Sequence, residues 1–343
     1  MDKYLKTAIV SLIAVFALIS LLILYFGGLG NSGLLGQSEL ITTISSINPV
    51  LGTLGALFFV LSITIWIISW AFVLKKRTNL RFSSVLSAGW RAVYGALTPL
   101  QVGAEAMRSL HLKESHNTPY SISVSASLLV KGIKFMLIAL TSALFLGMFL
   151  LTAKYNLLML FAMLSGFAVV LFAALLFLLP INKKIGSKMI FQLRKISSKI
   201  KIFSKLEKFF ESYSDYLSSL SLSFFVFITA VVFLSWVFEF LSLLFAFYSA
   251  NVFIPVESVI VLFVILSILE RTPFLPRGIG IVELAGYIYL SMPSLSMIEL
   301  SFSEIAVVII VFDVFRLLIP TLLSMGFAFL FKSNQINKSI INN

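Results

Sequence analysis

Long apolar runs separated by short polar breaks set the plan of this chain. Residues 7–26, 51–74, 121–152, 157–180, 218–249 and 302–331 carry few charges and are each about 20 residues or longer, enough to cross a bilayer as a helix. Period-two alternation is almost absent, which selects a helical bundle over a membrane barrel. The expected fold class is an all-α polytopic membrane protein with about six full transmembrane helices.

Two stretches break the pattern. Residues 82–112 are apolar but hold Arg91, Pro99, Gly103, Glu105 and Arg108. Residues 254–292 contain the run Leu269–Gly286, where Glu270, Arg271, Arg277 and Glu283 stand beside Pro273, Pro276, Gly278, Gly280 and Gly286. A charge at mid-bilayer costs roughly 2.5–3.5 kcal/mol, so such clusters belong in a protein-lined site. Proline removes a helical hydrogen bond, and the freed backbone is tolerated at membrane depth only inside protein or along a wet cavity. Each stretch is expected to be a re-entrant helical hairpin with its tip at the Pro/Gly break. For 82–112, a pair of amphipathic helices lying on the surface is the open alternative.

Topology constrains the arrangement further. If span 218–249 ends outside and span 302–331 ends inside, residues 254–292 must dip in and return. The first half shows the same order inverted, with span 51–74, hairpin 82–112 and span 121–152. An inverted repeat in one membrane domain, residues 1–343, follows: half one at about 51–181, a linker at 183–216, and half two at about 218–332.

Composition agrees. The chain of 343 residues is 59% hydrophobic and 12% charged, with a formal charge of +12. Most of the basic residues flank apolar spans, the cytoplasmic-loop bias rather than a nucleic-acid surface. Lys75, Lys76 and Arg77, the nine Lys and Arg between Lys183 and Lys208, and Lys332 place their loops and both termini in the cytoplasm. Lys3 and Lys6 precede a first span that offers no small-residue cleavage site, so it is read as a retained helix. In 183–216 the apolar Ile185, Met189, Leu193, Ile196, Ile200, Phe203 and Phe210 recur mostly at steps of three and four. They mark one helical face, suited to an anionic leaflet or to a solvated linker. Cysteine is absent and there are two histidines, which excludes a thiol nucleophile and makes a His-based metal site implausible. No cofactor is expected, and Gly278-Ile-Gly280 lacks the third glycine and preceding strand of a dinucleotide loop.

The second half-helix of each hairpin would start at the tip, aiming free N–H groups and its positive dipole end into the protein. With Arg108, Arg271, Arg277 and Arg316 nearby, and Lys131 and Lys134 in the first turns of 121–152, this centre suits an anion, most naturally a phosphate. Glu105 and Glu283 have three roles open to them: neutralising the arginines in the empty state, carrying a coupling proton, or forming structural ion pairs. Asp313 and Arg316 lie three apart on one helical face and can pair. Glu239 is embedded in its span with no role assigned.

These residues carry a resemblance. Leu97-Thr98-Pro99 through Gly103-Ala104-Glu105-Ala106-Met107-Arg108, with Leu112, then Pro276-Arg277-Gly278-Ile279-Gly280-Ile281-Val282-Glu283, and Arg316 ahead of Leu317 and Pro320, resemble the lysylphosphatidylglycerol synthase transmembrane-region (flippase-like) family. Arg277 stands where that family favours glycine, Ala104 separates Gly103 from Glu105, and Lys131 and Lys134 stand about where it tends to have Arg and Asp. The resemblance implies a membrane region that in some members is joined to a soluble aminoacyl transferase and is thought to flip its lipid product. No stretch here is left for the transferase, so lysyl transfer is not expected.

The expected function is translocation of a phosphate-bearing lipid (phospholipid, aminoacylated lipid or polyprenyl-phosphate carrier) across the plasma membrane through a central polar cavity. The candidate site is Pro99, Gly103, Glu105, Arg108, Lys131, Lys134, Arg271, Pro276, Arg277, Gly278, Gly280, Glu283 and Arg316, with no catalytic group and no metal. Expected partners are the anionic lipid and an anionic membrane surface along 183–208, with a second copy or a separate transferase left open. The alternatives are a membrane accessory subunit of a glycosyl- or aminoacyl-lipid transferase, and a lipid-modifying enzyme, for which His111 is the only histidine in a hairpin.

Overall fold

The computed structural model describes residues 41–98, 102–152, 157–197, 203–271 and 276–329. The expected first span 7–26, Pro99 and the tail with Lys332 lie outside the described residues. Among those described, the chain is helical and contains no strand. In order come α1 (Pro49–Lys75), α2 (Phe82–Arg91), a 3-10 turn (Val93–Leu97), α3 (Val102–His116), α4 (Tyr120–Thr152) and α5 (Leu157–Leu178). They are followed by α6 (Lys183–Ser197), α7 (Phe203–Ser218), α8 (Leu222–Ser249), α9 (Val256–Leu269), a 3-10 turn (Pro276–Gly278) and α10 (Ile281–Leu290). The last long helix is α11 (Phe302–Phe329).

Five stretches among the described residues are long and apolar enough to cross a membrane: α1, α8, α11, Tyr120–Gly147 of α4, and Met163–Ile181 at the end of α5. They coincide with five of the expected spans. By contrast α9 and α10 are apolar but only 14 and 10 residues long. At 1.5 Å per residue each is well short of the ~30 Å core.

The described residues form two compact units. One comprises those up to Thr64, Gly89–Ala104 and those from Ser235 onward. Here α9 packs on α10 and α10 on α11. Gly55 of α1 lies under the ring of Phe315, where a methyl group would not fit. Ser62 and Ser235 exchange a contact, Ser235 Oγ donating to the Ser62 carbonyl at 3.0 Å. The turns Val93–Leu97 and Pro276–Gly278 pack against one another. Ser324 of α11 fixes the first of them, its hydroxyl donating to the Trp90 carbonyl at 2.7 Å and accepting from Tyr94 N–H at 3.1 Å.

The break after α2 begins at Arg91, earlier than Pro99 alone requires. Gly95 and Gly103 explain why. A Cβ on Gly103 would sit 2.6 Å from the Gly95 carbonyl oxygen, so the chain folds back on itself at two residues without side chains. Thr98 seals the fold, donating to the Gly95 carbonyl at 3.0 Å and accepting from Gly103 N–H at 2.8 Å.

The second unit comprises Ile65–Ala88 and Glu105–Leu234, with α4 packed along α5. The basic stretch expected as one amphipathic face is instead two helices, α6 and α7, packed on each other and joined by Arg194, which bridges Glu207 at 2.8 Å and Glu211 at 2.7 Å. The pair is docked on helix ends: Tyr213 hydroxyl donates to the Phe177 carbonyl and Tyr216 hydroxyl to the Val73 carbonyl. Burial pushes both phenols above their ordinary range, so they stay protonated donors.

Candidate functional site

The predicted residues that are described gather into two buried charge clusters, one in each unit. The first is built where α9 ends, the 276–278 turn reverses the chain, and α10 starts. Glu270, just past α9, binds two arginines: Oε2 lies 2.6 Å from Arg271 Nη1 and Oε1 lies 3.1 Å from Arg277 Nε. Arg277 holds a left-handed backbone at φ 53°, which few residues with a side chain adopt. Gly278 and Gly280 follow at φ 67° and 91°. At Gly278 glycine is obligatory for space as well, because a Cβ would lie 2.7 Å from the Leu269 carbonyl oxygen.

Gly280 opens α10, and Glu283 in its first turn accepts the Gly280 N–H with Oε2. A carboxylate at this position suits the helix dipole and satisfies an end N–H. Its Oε1 accepts from Arg316 Nη2. Arg316 is 2% exposed, and the same guanidinium also holds Asp313 Oδ1, at 2.6 Å from Nη2 and 3.1 Å from Nε. The sequence spacing of Asp313 and Arg316 thus produces the pair it predicted.

Arg316 and Arg277 also clasp each other's backbones. Arg277 Nη1 donates to the Arg316 carbonyl, and Arg316 Nη1 donates to the Arg277 carbonyl at 3.2 Å. The cause is legible in α11. Residue 320 is proline and has no N–H for the carbonyl four residues back, which is that of Arg316. The helix loosens into a π-helical turn at Val314–Leu318, and Arg277 supplies a donor. The Arg277 guanidinium also lies 5.7 Å from the Phe59 ring centre.

The second cluster lies between α3, α4 and the later part of α1. Lys131 Nζ is 3.2 Å from Glu105 Oε1, and Arg108 Nη2 is 3.8 Å from the same oxygen. Arg108 faces the Trp70 ring at 5.3 Å and Lys134 faces Trp66 at 5.2 Å, so two indoles help hold these cations. Trp70 is itself fixed, its Nε1 donating to the Ser123 carbonyl at 3.4 Å. All four charged residues are at least nine-tenths buried, and Glu105 is the one buried carboxylate among the described residues of this unit. Glu105 Oε2 has no hydrogen-bond partner there, and the Arg108 guanidinium makes no hydrogen bond either.

Sequence reasoning placed Gly103 at the site; the structure makes it a packing residue of the first turn. Pro276 opens the second turn. Sequence reasoning did not assign Trp66 and Trp70, two of the four tryptophans of the chain spaced four apart on one helix, nor Glu270 as the common partner of two arginines. Among the described residues no group of three or more His, Asp or Glu side chains is placed to hold a metal ion. No curated protein and no solved structure matches the chain. The family described as lysylphosphatidylglycerol synthase TM region matches residues 8–324. With spans, broken helices and charged turns falling inside that match, the chain belongs to the lysylphosphatidylglycerol synthase TM region family.

Proposed function

We propose that this protein translocates a lipid with an anionic, phosphate-bearing head group, which is held by Arg108, Lys131 and Lys134. Family membership points to a lipid-related membrane function. The observation that carries the finer reading is Arg108, a buried guanidinium with no hydrogen bond among the described residues, beside two buried lysines and Glu105, the one buried carboxylate described in that unit. An arginine fork left open in this way matches two oxygens of a phosphate, with the lysines as point charges beside it. In this reading the α2–α3 and α9–α10 pairs are re-entrant and related by an inverted repeat, consistent with helices too short to cross and turns that pack together.

Localisation follows from charge. Lys75 ends α1 and Lys183, Lys184 and Lys188 open α6, all on loops that the positive-inside bias assigns to the cytoplasm of a plasma membrane. Lys184, Lys188 and Phe191 share one face of α6, and Phe191 is 66% exposed. That face suits an anionic leaflet, with the ring among the acyl chains and the ammonium groups at the head groups. It also suits the second reading, a membrane subunit that holds a separate transferase.

The test is reconstitution in liposomes with fluorescent lipids quenched from outside by dithionite. The expected result is faster loss of protected signal for an anionic lipid than in empty liposomes, and loss of that gain in Arg108→Gln. Flipping no faster than in empty liposomes across phosphate-bearing lipids would overturn transport. A transferase that binds the protein whether or not Arg108 is replaced would support the accessory reading.

A further inference from the structure

Around Arg316 two buried carboxylates, Glu283 and Asp313, meet one guanidinium. Nearby, among the described residues, stand Glu270 with Arg271 and Arg277, Glu239 from α8 facing Arg277, and the uncharged ring of Phe59 from α1. The charges are not spread evenly. Glu270 has two arginine partners, whereas Glu283 and Asp313 share the one guanidinium of Arg316. They are 3% and 1% exposed, and Asp313 Oδ2 is buried without a hydrogen-bond partner. Glu283 Oε1 and Asp313 Oδ1 both lie against the one nitrogen Arg316 Nη2, so the two carboxylates are immediate neighbours. Two buried like charges this close disfavour full ionisation of the pair, and one proton held between them relieves the repulsion.

A small cavity touches both acids. Leu262, Leu266, Val282 and Phe312 form its walls with Glu283 and Asp313, and a water molecule's centre has about 20 Å³ in which to lie. That is room for one water, the minimum needed to deliver or remove a proton. A metal cation is disfavoured, because no third acidic or imidazole ligand stands with the pair among the described residues.

We propose that Glu283 and Asp313 hold one exchangeable proton between them. Binding forms one carboxyl O–H bond while an O–H bond of hydronium breaks and releases water, taking the Glu283–Asp313–Arg316 group from one excess negative charge to neutral. Loading weakens the pull of the pair on Arg316, which clasps Arg277, so proton occupancy is tied to the hold on the 276–278 turn. If the protein is a translocase, as proposed above, this proton is its coupling ion.

Infrared difference spectroscopy on the purified full-length protein in lipid nanodiscs, from alkaline to acidic buffer, tests the proposal. A protonated-carboxyl C=O band that shifts in deuterated water is expected. It should be lost in Asp313→Asn and in Glu283→Gln, and kept in Glu239→Gln and Glu105→Gln. Because the variants can fail to fold, the same band in the unmutated protein should also shift when aspartate and glutamate are carbon-labelled. Absence of the band, its survival in both Asp313→Asn and Glu283→Gln, or its loss only in Glu239→Gln overturns the proposal. The band does not depend on any lipid. Its presence without flipping would sink the translocase reading alone, and flipping without the band would sink the proton.

Discussion

Both buried clusters are made of the same residue types, yet they are wired differently. At Glu270–Arg316 each arginine is engaged with carboxylates or main-chain carbonyls, and two arginines cross-link the backbone. At Glu105–Lys134 Lys131 and Arg108 share one carboxylate, and Arg108 and Lys134 lean on two indoles. Buried charge is tolerated when paired and hydrogen-bonded. The first cluster meets that condition from within, apart from Glu283 and Asp313 having to share the one guanidinium of Arg316. In the second, Glu105 Oε2 is buried without a hydrogen-bond partner among the described residues and Arg108 meets this carboxylate only at 3.8 Å, a looser wiring than that of the first.

The sharpest way to break this contrast is to remove one arginine from each. Arg316→Gln strands Glu283 and Asp313 without a counter-charge, and removing one member of a buried pair costs about 3–5 kcal/mol. Arg108→Gln gives up a cation–π contact of about 0.5–2 kcal/mol and a long 3.8 Å ion pair to Glu105, which Lys131 still holds at 3.2 Å. Thermal unfolding in detergent should therefore show Arg316→Gln severely destabilised and Arg108→Gln close to the unmodified protein. Equal losses would mean that the second cluster is structural too.

The two turns differ in a parallel way. A methyl group at Gly103 would meet the Gly95 carbonyl at 2.6 Å, and one at Gly278 would meet the Leu269 carbonyl at 2.7 Å. Crowding of that kind costs about 1–3 kcal/mol. Gly278 alone of the two sits at positive φ, 67°, adding about 1–2 kcal/mol of left-handed strain. Gly278→Ala should lower the unfolding midpoint more than Gly103→Ala does, and the reverse order would show that the 276–278 turn yields more easily than its backbone contacts imply.

The apolar runs made the long helices legible, because length and hydropathy are properties of one segment. The Asp313–Arg316 pair was legible for the same reason, being fixed by helical spacing. Partnerships across segments were not. Nothing local in Lys131 names Glu105, and nothing in Arg277 names the Arg316 carbonyl, although Pro320 signalled that this carbonyl would want a donor. The start of the first break was hidden too. Pro99 marked a break, but its onset at Arg91 depends on Gly95 and Gly103 approaching each other through space. The packing of α6 on α7 likewise involves partners far apart in sequence, Arg194 with Glu207 and Glu211.

Arg277 offers the finest test, because the resemblance to the family favours glycine there and this chain places a charged side chain in left-handed backbone. Its side chain holds Glu270 at 3.1 Å and the Arg316 carbonyl, bonds to charged groups that are worth about 1.5–3 kcal/mol each when buried. Its backbone costs about 1–2 kcal/mol that glycine would not pay. Arg277→Ala loses the contacts and keeps the strain, while Arg277→Gly loses the contacts and sheds it. Both should be less stable than the unmodified protein, with Arg277→Gly recovering about 1 kcal/mol relative to Arg277→Ala in unfolding measurements. If the two variants unfold together, the left-handed backbone at 277 is not a cost that the clasp offsets. If Arg277→Gly matches the unmodified protein, the clasp to Arg316 adds nothing beyond the strain it imposes, and the first cluster would have to be counted with the second as an open site.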